Sequence, residues 1–145
     1  MNMFNVSLHP VGTGSNYRYV LIITLDGTRI LLSRHRDRHT WENQGGHVEK
    51  GESVDQAAAR ELFEEAGVKP KTLEAVCDHR VSVDGTTNWG RTYLATVDTI
   101  QPLPDSEIAE VRWCDQLPSD QELTYPWITP LLYHHCVKED RDPSR

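Results

Sequence analysis

The sequence predicts a fold of the α/β or α+β class, in which helices cover a mixed β-sheet. The first observation is a β-branched, apolar run over residues 17–25, which is typical of a strand buried on both faces. The second is a helix start at Ser53, where Gln56 three residues later completes a capping-box pattern. The third is a stretch over residues 129–138, where Thr129 and Pro130 predict the start of a final helix that docks on the sheet.

Turn and loop signals place the remaining elements. Residues 1–16 end in Gly, Ser and Asn, which predicts an irregular entry with room for one edge strand. The pair Asp26-Gly27 predicts a tight turn into a second strand over residues 29–33, and the two strands form a hairpin. Strands are also predicted over 72–83, 91–97 and 107–114, with a turn at 84–88 and a loop at 100–106. We expect one domain over residues 1–145, with a core over about 17–137 and a frayed tail at 139–145.

The helix that begins at Ser53 carries a cluster of acids and is predicted to end at Gly67. At about 100° per residue, Glu61, Glu64 and Glu65 share one arc, and the apolar positions 59, 62, 63 and 66 are predicted to form the opposite, buried arc. Carboxylates this close repel one another, and a hard divalent cation such as Mg²⁺ removes that cost. A solvated acidic face is the alternative, but it leaves the glycine-rich loop before the helix unexplained.

Residues 46–68 resemble the signature of the Nudix (MutT-like) hydrolases, G-x5-E-x7-R-E-U-x-E-E-x-G-U, where U is a bulky aliphatic residue. Nine constrained positions over 23 residues match this pattern: Gly46, Glu52, Arg60, Glu61, Leu62, Glu64, Glu65, Gly67 and Val68. The resemblance implies an α/β/α sandwich with a mixed β-sheet. It also implies a Mg²⁺-dependent hydrolase, with Mn²⁺ as a substitute, that cleaves the diphosphate linkage of a nucleoside diphosphate derivative.

Several substrates fit that chemistry. A nucleoside triphosphate, including an oxidised purine nucleotide, is favoured. ADP-ribose or a nucleotide sugar is the enzymatic alternative, and a nucleotide-sensing module without turnover is the alternative from another functional class. The intact signature glutamates favour an enzyme.

The resemblance further implies roles for the signature residues. Glu61, Glu64 and Glu65 are the expected metal ligands, helped by a backbone carbonyl of Gly45 or Gly46. Glu61 is also one candidate for orienting or deprotonating the attacking water.

The other two signature side chains, Glu52 and Arg60, are expected to brace the loop against the helix through an ion pair, with Glu52 also in reach of a metal-bound water. Many Nudix enzymes take a further base from a later loop. Glu110 and Glu107 are the nearest acids, Asp105 is a third, and the sequence does not decide between the first two.

Residues near the signature are candidates for contacts with the substrate. The basic segment 34–39 is interpreted either as a solvated connection or as a phosphate contact through Arg34, Arg36 or Arg38, because guanidinium groups match phosphate oxygens. Of the four tryptophans, Trp113 and Trp127 are predicted to lie in the core. Trp41 and Trp89 flank loops and are predicted to stack on a base.

The pair Asn43-Gln44 stands where many family members have an aliphatic or aromatic residue followed by proline. These amides are predicted either to contact the base or ribose or to bond the local backbone. The departure leaves the signature intact, so it weakens the transfer of a substrate preference and not of catalysis.

Composition excludes other function classes. The chain has 22 acids and 15 bases, a net charge of −7, which argues against a nucleic-acid polymer as partner. Three widely spaced cysteines predict a reducing cytoplasm, and neither a signal peptide nor a membrane span is predicted. We therefore expect a small nucleotide substrate and no membrane partner. The sequence does not fix the oligomeric state, and a homodimer stays open.

Overall fold

The structure is a computed structural model that describes residues 4–140. Seven strands and two α-helices are connected by short turns and loops, with one 3₁₀ turn before the last helix. In chain order the elements are β1 (Phe4–His9), β2 (Tyr19–Asp26), β3 (Arg29–His35), β4 (Gln44–His47), α1 (Val54–Ala66), β5 (Val68–Val83), β6 (Thr86–Ile100), β7 (Ile108–Cys114), the 3₁₀ turn (Asp120–Glu122) and α2 (Thr129–Asp140).

All seven strands belong to one mixed sheet. Its order is β1-β5-β6-β2-β3-β7, and β4 pairs with β2 outside this path. The pair β2–β6 is parallel, and the other pairs are antiparallel. Strand β3 pairs with the end of β2 at Leu25 and Asp26, whereas β4 pairs with residues 19–22 of the same strand edge. This splitting lets the short glycine strand β4 lie beside the central strand β2.

The two helices cover opposite faces of the sheet. On one face, Ala57, Ala58, Leu62 and Ala66 of α1 pack against apolar residues that include Val20, Ile22 and Leu31. On the other face, Leu132 and Cys136 of α2 pack against residues that include Ile23, Leu25 and Leu32. Neighbouring residues of β2 and β3 therefore alternate between two cores, which explains why both strands are apolar throughout. The predicted α/β/α sandwich with a mixed sheet is confirmed.

The predicted hairpins are present, but their bounds differ. The turn between β2 and β3 consists of Gly27 and Thr28, with Gly27 at φ +62°. Strands β5 and β6 are longer than predicted, and the turn between them is only Asp84-Gly85. This two-residue turn is possible because Asp84 and Gly85 both adopt a positive φ, at +50° and +87°. Strand β1 pairs antiparallel with β5 at the sheet edge, so the edge strand for which the sequence left room is present.

Helix α1 begins and ends as predicted. The Ser53 side chain accepts the Gln56 N–H, the Gln56 side chain accepts the Ser53 N–H, and Gly67 adopts the left-handed conformation after the last turn. The predicted buried arc needs correction, because Ala59 is exposed whereas Ala57 and Ala58 are fully buried. The acidic arc consequently does not lie opposite the core. Glu61 and Glu65 follow Ala57 at intervals of four residues, so they face the sheet at the edge of the core.

The predicted tail is only partly described. Residues 139 and 140 belong to α2, and residues 141–145 lie outside the described residues. Among the helices of the described chain, none is long and apolar enough to cross a membrane.

Candidate active site

Arg60 is the centre of an ion-pair network between α1 and the preceding loop. Its Nε lies 2.7 Å from Glu52 Oε2 and one terminal nitrogen lies 2.9 Å from Glu52 Oε1, so the two side chains form a bidentate pair. The same guanidinium donates to the carbonyl of His47 at the end of β4, over 3.1 Å. Its other terminal nitrogen lies 2.9 Å from Glu61 Oε1 and 3.3 Å from Glu64 Oε2. One side chain thus connects loop, strand and helix.

The paired glycines of β4 let the acidic side chains of α1 approach its backbone. The N–H of Gly45 donates to Glu65 Oε1 over 2.7 Å. A Cβ atom at Gly46 would lie 2.4 Å from Glu61 Oε1, closer than atoms can approach. A side chain at position 46 would therefore displace Glu61, which explains why a glycine is needed there. We call Gly45, Gly46, Glu52, Arg60, Glu61 and Glu65 the acidic end.

Burial and mutual repulsion change the proton affinities of these acids. Burial raises the pKa of Glu65 to about 8, with the charges of Glu61, Glu42 and Glu64 acting in the same direction against the Gly45 N–H bond. Burial also raises the pKa of Glu61, although Arg60 opposes the shift. In contrast, the hydrogen bonds from Arg60 and from the Glu49 N–H lower the pKa of Glu52 to about 2. Glu52 is thus a fixed anion, whereas Glu61 and Glu65 lack enough nearby positive charge.

A cleft of about 680 Å³ lies beside the acidic end. Glu65, Gly45 and Gly46 line one side of it. The far wall is formed by residues of the β5–β6 hairpin, which we call the ribbon wall: His79, Val81, Val83, Thr86 and Asn88. The remaining lining residues are Tyr19, Leu21, His35, Arg38, Glu42, Asn43, His47, Glu107, Tyr125 and Ile128. The cleft therefore joins an acidic site to a wall that combines two valines with the polar side chains of His79, Thr86 and Asn88.

A family model described as NUDIX domain matches residues 16–124 of the chain, which includes every strand from β2 to β7 and helix α1. The chain is a Nudix protein. The predicted resemblance is thereby confirmed, and the chain belongs to a family of hydrolases that act on pyrophosphate bonds.

Relatives and solved structures agree with this Nudix membership. An oxidized purine nucleoside triphosphate hydrolase from Mus musculus is 29% identical over 106 residues, which cover 69% of this chain and 68% of the relative. An RNA pyrophosphohydrolase from Sodalis glossinidius is 36% identical over 61 residues, which cover 42% of this chain and 34% of the relative.

Among solved structures, the Bacillus subtilis pyrophosphohydrolase BsRppH superposes with a TM-score of 0.80 and 22% identity. The match covers 97% of this chain and 92% of that protein. An ADP-ribose pyrophosphatase from Streptococcus suis superposes with a TM-score of 0.64 and 20% identity, over 86% and 92% of the two chains. At these identities the structural matches establish the fold.

Nudix hydrolases generally use divalent metal ions, and the donor chemistry of the acidic end fits one. Glu61 and Glu65 are partly buried carboxylates whose ionised forms are destabilised, and hard cations take such oxygen ligands. The side chains are not yet gathered around one point. Within residues 4–140, no three His, Cys, Asp or Glu side chains are placed to hold a metal ion together. Hydrogen bonds explain this: Arg60 holds Glu61 and Glu64, and the Gly45 N–H holds Glu65.

Two predicted substrate contacts are buried away from the cleft. Trp41 is 7% exposed, and the guanidinium of Arg112 lies 4.3 Å from its ring centre. Gln44 is fully buried, and its amide bonds Thr24 Oγ1, the Leu31 carbonyl and Ser33 Oγ. The Trp41 ring is thus enclosed by the core and by Arg112, and the Gln44 amide is fully bonded within the protein. Both are therefore withdrawn as substrate contacts, and Gln44 instead holds β4 to its neighbouring strands.

Of the predicted phosphate and base contacts Arg34, Trp89 and Asn43, only Asn43 lines the cleft. Arg34 does not line the cleft; it belongs to β3 and lies 3.3 Å from Glu110 on the neighbouring strand. Trp89 does not line the cleft either, because its ring packs against His9 and Gly14. Asn43 does line the cleft, but its amide already bonds the Gln44 carbonyl and Thr129 Oγ1.

Of the late acids, Glu107 lines the cleft and Glu110 does not. Glu107 Oε2 lies 3.0 Å from His35 Nε2, which fixes the acid beside the cleft. The exposed Glu110 is engaged with Arg34 at the sheet edge. The geometry therefore favours Glu107 over the Glu110 assignment as the late-loop acid.

The predicted phosphate contact was left open between Arg34, Arg36 and Arg38, and of these three Arg38 is the one that lines the cleft. Arg38 pairs with both oxygens of the buried Glu42, over 3.1 and 3.0 Å. Other cleft residues were missed by the sequence. Tyr125 lines the cleft, and Trp127 beside it is 50% exposed, against its predicted place in the core. The basic segment 34–39 was the only available signal for Arg38. The aromatic pair had none, because sequence neighbours do not show which side of a turn meets solvent.

Proposed function

We propose that this Nudix hydrolase cleaves the diphosphate linkage of a nucleoside triphosphate, with purine nucleotides, including oxidised ones, as the favoured class. The observation that carries the proposal is the cleft of about 680 Å³, which joins the acidic end to the ribbon wall with its two valines and three polar side chains. The two oxidized purine nucleoside triphosphate hydrolases that align with 69% and 78% of the chain support this substrate class. ADP-ribose and nucleotide sugars are the alternative substrates.

In the proposed site, each end of the nucleotide meets different residues. Glu61, Glu64 and Glu65 would hold a Mg²⁺ or Mn²⁺ ion, assisted by a carbonyl of Gly45 or Gly46. When bound, the ion neutralises phosphate charge and favours attack by water.

The protein residues supply the rest of the chemistry. The bidentate Glu52–Arg60 pair keeps the glycine strand and the helix at a fixed separation. Arg38 contacts a phosphate oxygen through its guanidinium, which is 42% exposed. Glu107, at the mouth of the cleft, accepts a hydrogen bond from the attacking water and takes its proton.

The remaining expectations follow from composition and are part of this proposal. The acidic net charge of −7 disfavours a nucleic-acid polymer as substrate. Three buried cysteines and their odd number favour the reducing cytoplasm. We retain the single-domain organisation over residues 1–145, and the oligomeric state stays open between monomer and homodimer.

The test is a substrate screen with the metal varied independently. Nucleoside triphosphates, oxidised purine triphosphates, ADP-ribose and a nucleotide sugar are each incubated with Mg²⁺, with Mn²⁺, and with excess chelator, and the products are identified. We expect the highest kcat/KM with a purine nucleoside triphosphate and no turnover with chelator. Preferential cleavage of ADP-ribose or a nucleotide sugar would reject the substrate class. Full turnover in chelator would reject the metal assignment.

A further inference from the structure

His79 is a buried histidine on the cleft wall to which the proposed chemistry gives no role. It is 1% exposed, and it lies on the ribbon wall with Val81 and Asn88. Its Nδ1 lies 3.0 Å from the hydroxyl of Thr92, a fully buried residue of β6. One ring nitrogen is thus occupied by the protein interior, which leaves Nε2 as the atom able to serve a ligand.

Gly90 provides the space into which the ring of His79 extends. The two residues are direct cross-strand partners on β5 and β6. A Cβ atom at position 90 would lie 2.2 Å from His79 Nε2 and 2.5 Å from Cε1. The imidazole therefore lies over the Cα of Gly90, and any larger residue would move it. Thr92 and Gly90 together fix the ring in one position.

The protonation state of His79 limits its partners. Burial lowers the pKa of His79 to about 4, although the neighbouring Asp78 opposes the shift. At neutral pH the imidazole is uncharged, so Nε2 offers either one lone pair or one N–H. An uncharged group of this kind suits the edge of a base, whereas a phosphate is matched better by a cation such as Arg38.

The sheet register gives the distance of His79 from the acidic end. His79 pairs with Gly90, Gly90 with Tyr19, and Tyr19 with His47. These four residues form one row across β5, β6, β2 and β4, and His47 directly follows the paired glycines. Three strand spacings amount to about 14 Å. A nucleotide with its phosphates at β4 would therefore bring its base to the ribbon wall.

We propose that His79 is a specificity-determining residue, which hydrogen-bonds through Nε2 to the base of the bound nucleotide. The proposal rests on the proposed nucleotide hydrolysis and adds the residue that distinguishes one base from another. Thr92 and Gly90 act as positioning residues, because they hold the ring without touching the substrate.

The experiment compares two substitutions that remove Nε2 in different ways. His79→Asn keeps a polar atom near the position of Nδ1, so the contact with Thr92 is retained. His79→Phe keeps the ring volume and loses both nitrogens. His134→Phe, at an exposed histidine of α2, is the matched control. For each protein, kcat and KM are measured with ATP, GTP, ITP and an oxidised purine triphosphate.

We expect both His79 variants to change the ratio of kcat/KM between the preferred base and the others by about three- to tenfold, the range for one hydrogen bond. The change should lie mainly in KM, and the control should keep the ratios of the wild type. If Asn preserves the base preference and only Phe loses it, the contact with Thr92 is structural and the proposal is wrong. Equal losses with all four nucleotides would also overturn it.

A second measurement separates this proposal from the proposed function. The ring resonances of His79 are followed by NMR while ATP or GTP is added to the wild-type protein without metal. A wild type that hydrolyses neither nucleotide but shows a base-dependent shift of Nε2 would refute the proposed reaction and support the His79 contact. Nucleotide turnover combined with an unmoved Nε2 resonance would refute the His79 contact and leave the reaction standing.

Discussion

At the acidic end of the cleft, one guanidinium joins three elements, and two glycines bring a backbone strand against the carboxylates of α1. On the opposite side, the ribbon wall consists of residues from β5 and β6 whose backbones pair in the sheet, and the side chain of His79 is bonded to Thr92. The acidic end is thus fixed by ion pairs between side chains, whereas the wall is fixed by the pairing of two strands. The difference indicates that the groups for the chemistry are held by a network and that the substrate preference is set by separate side chains.

The strongest test of this division is Glu65→Gln at the acidic end. The substitution keeps the size of the side chain and removes one ligand charge, so we expect kcat to fall about a hundredfold to a thousandfold. Nucleotide affinity, measured by calorimetry, should fall much less, because the wall is untouched. The exposed Asp98→Asn is the control for loss of one negative charge. An undiminished kcat would show that the catalytic metal is placed wrongly.

On the ribbon wall, His79 should make the free energy of unfolding depend on pH. Because the folded pKa of His79 is about 4, below its unfolded value of 6.5, its contribution is fully present above pH 6.5 and is lost as pH falls towards 4. Over this pH range the free energy of unfolding of the wild type should fall by about 3 kcal/mol more than that of His79→Asn. Denaturant unfolding of both proteins at several pH values measures the difference. Parallel curves would show that His79 titrates normally.

The Arg60 network offers a test in which catalysis and stability change together. Arg60→Ala removes the bonds to Glu52, Glu61 and the His47 carbonyl. We expect turnover to be impaired and the free energy of unfolding to fall by about 2 kcal/mol, with the fold retained. Arg60→Lys keeps the positive charge without the planar guanidinium group, so it should recover only part of the turnover and part of the stability. If Arg60→Ala had the same kcat and KM as the wild type, the network would not be needed for catalysis.

The smallest expected effect concerns the start of α1. Ser53→Ala removes the side chain that accepts the Gln56 N–H, which should cost about 1 kcal/mol of stability. Ser53→Thr keeps a capping hydroxyl and should stay near the wild type. Because the cap touches no cleft residue, the base preference should be unchanged in both variants, as base-resolved kinetics will show. A changed preference would mean that the two ends of the cleft are coupled.

The same contrast explains what could be predicted from sequence. The acidic end comes from one contiguous stretch, so its helix bounds follow from the capping residues, and the Glu52–Arg60 pair was expected from the resemblance to the Nudix signature. The need for glycine at position 46 became visible only in the structure, where a Cβ atom would meet Glu61. The wall combines residues far apart in the chain, and no local pattern marks His79 or Tyr125 as neighbours. Trp41 and Trp127 show the limit most clearly. Their predicted environments were exchanged, because local composition does not tell which side of a loop meets the core.

The β5–β6 hairpin extends past the rest of the sheet, and this has a consequence for motion. Strand β2 first pairs with β6 at Gly90, so in the described chain the segment Thr86–Trp89 has only β5 beside it within the sheet. Strand β1 supports the other side of β5 along residues 78–83. Beyond Gly90 the sheet thus narrows to a tip of three strands, β1, β5 and β6, which we call the flap. Bending of this flap would widen or narrow the entrance while the glycine strand and its carboxylates stay in place, so differently shaped nucleosides could be admitted to one unaltered reaction centre.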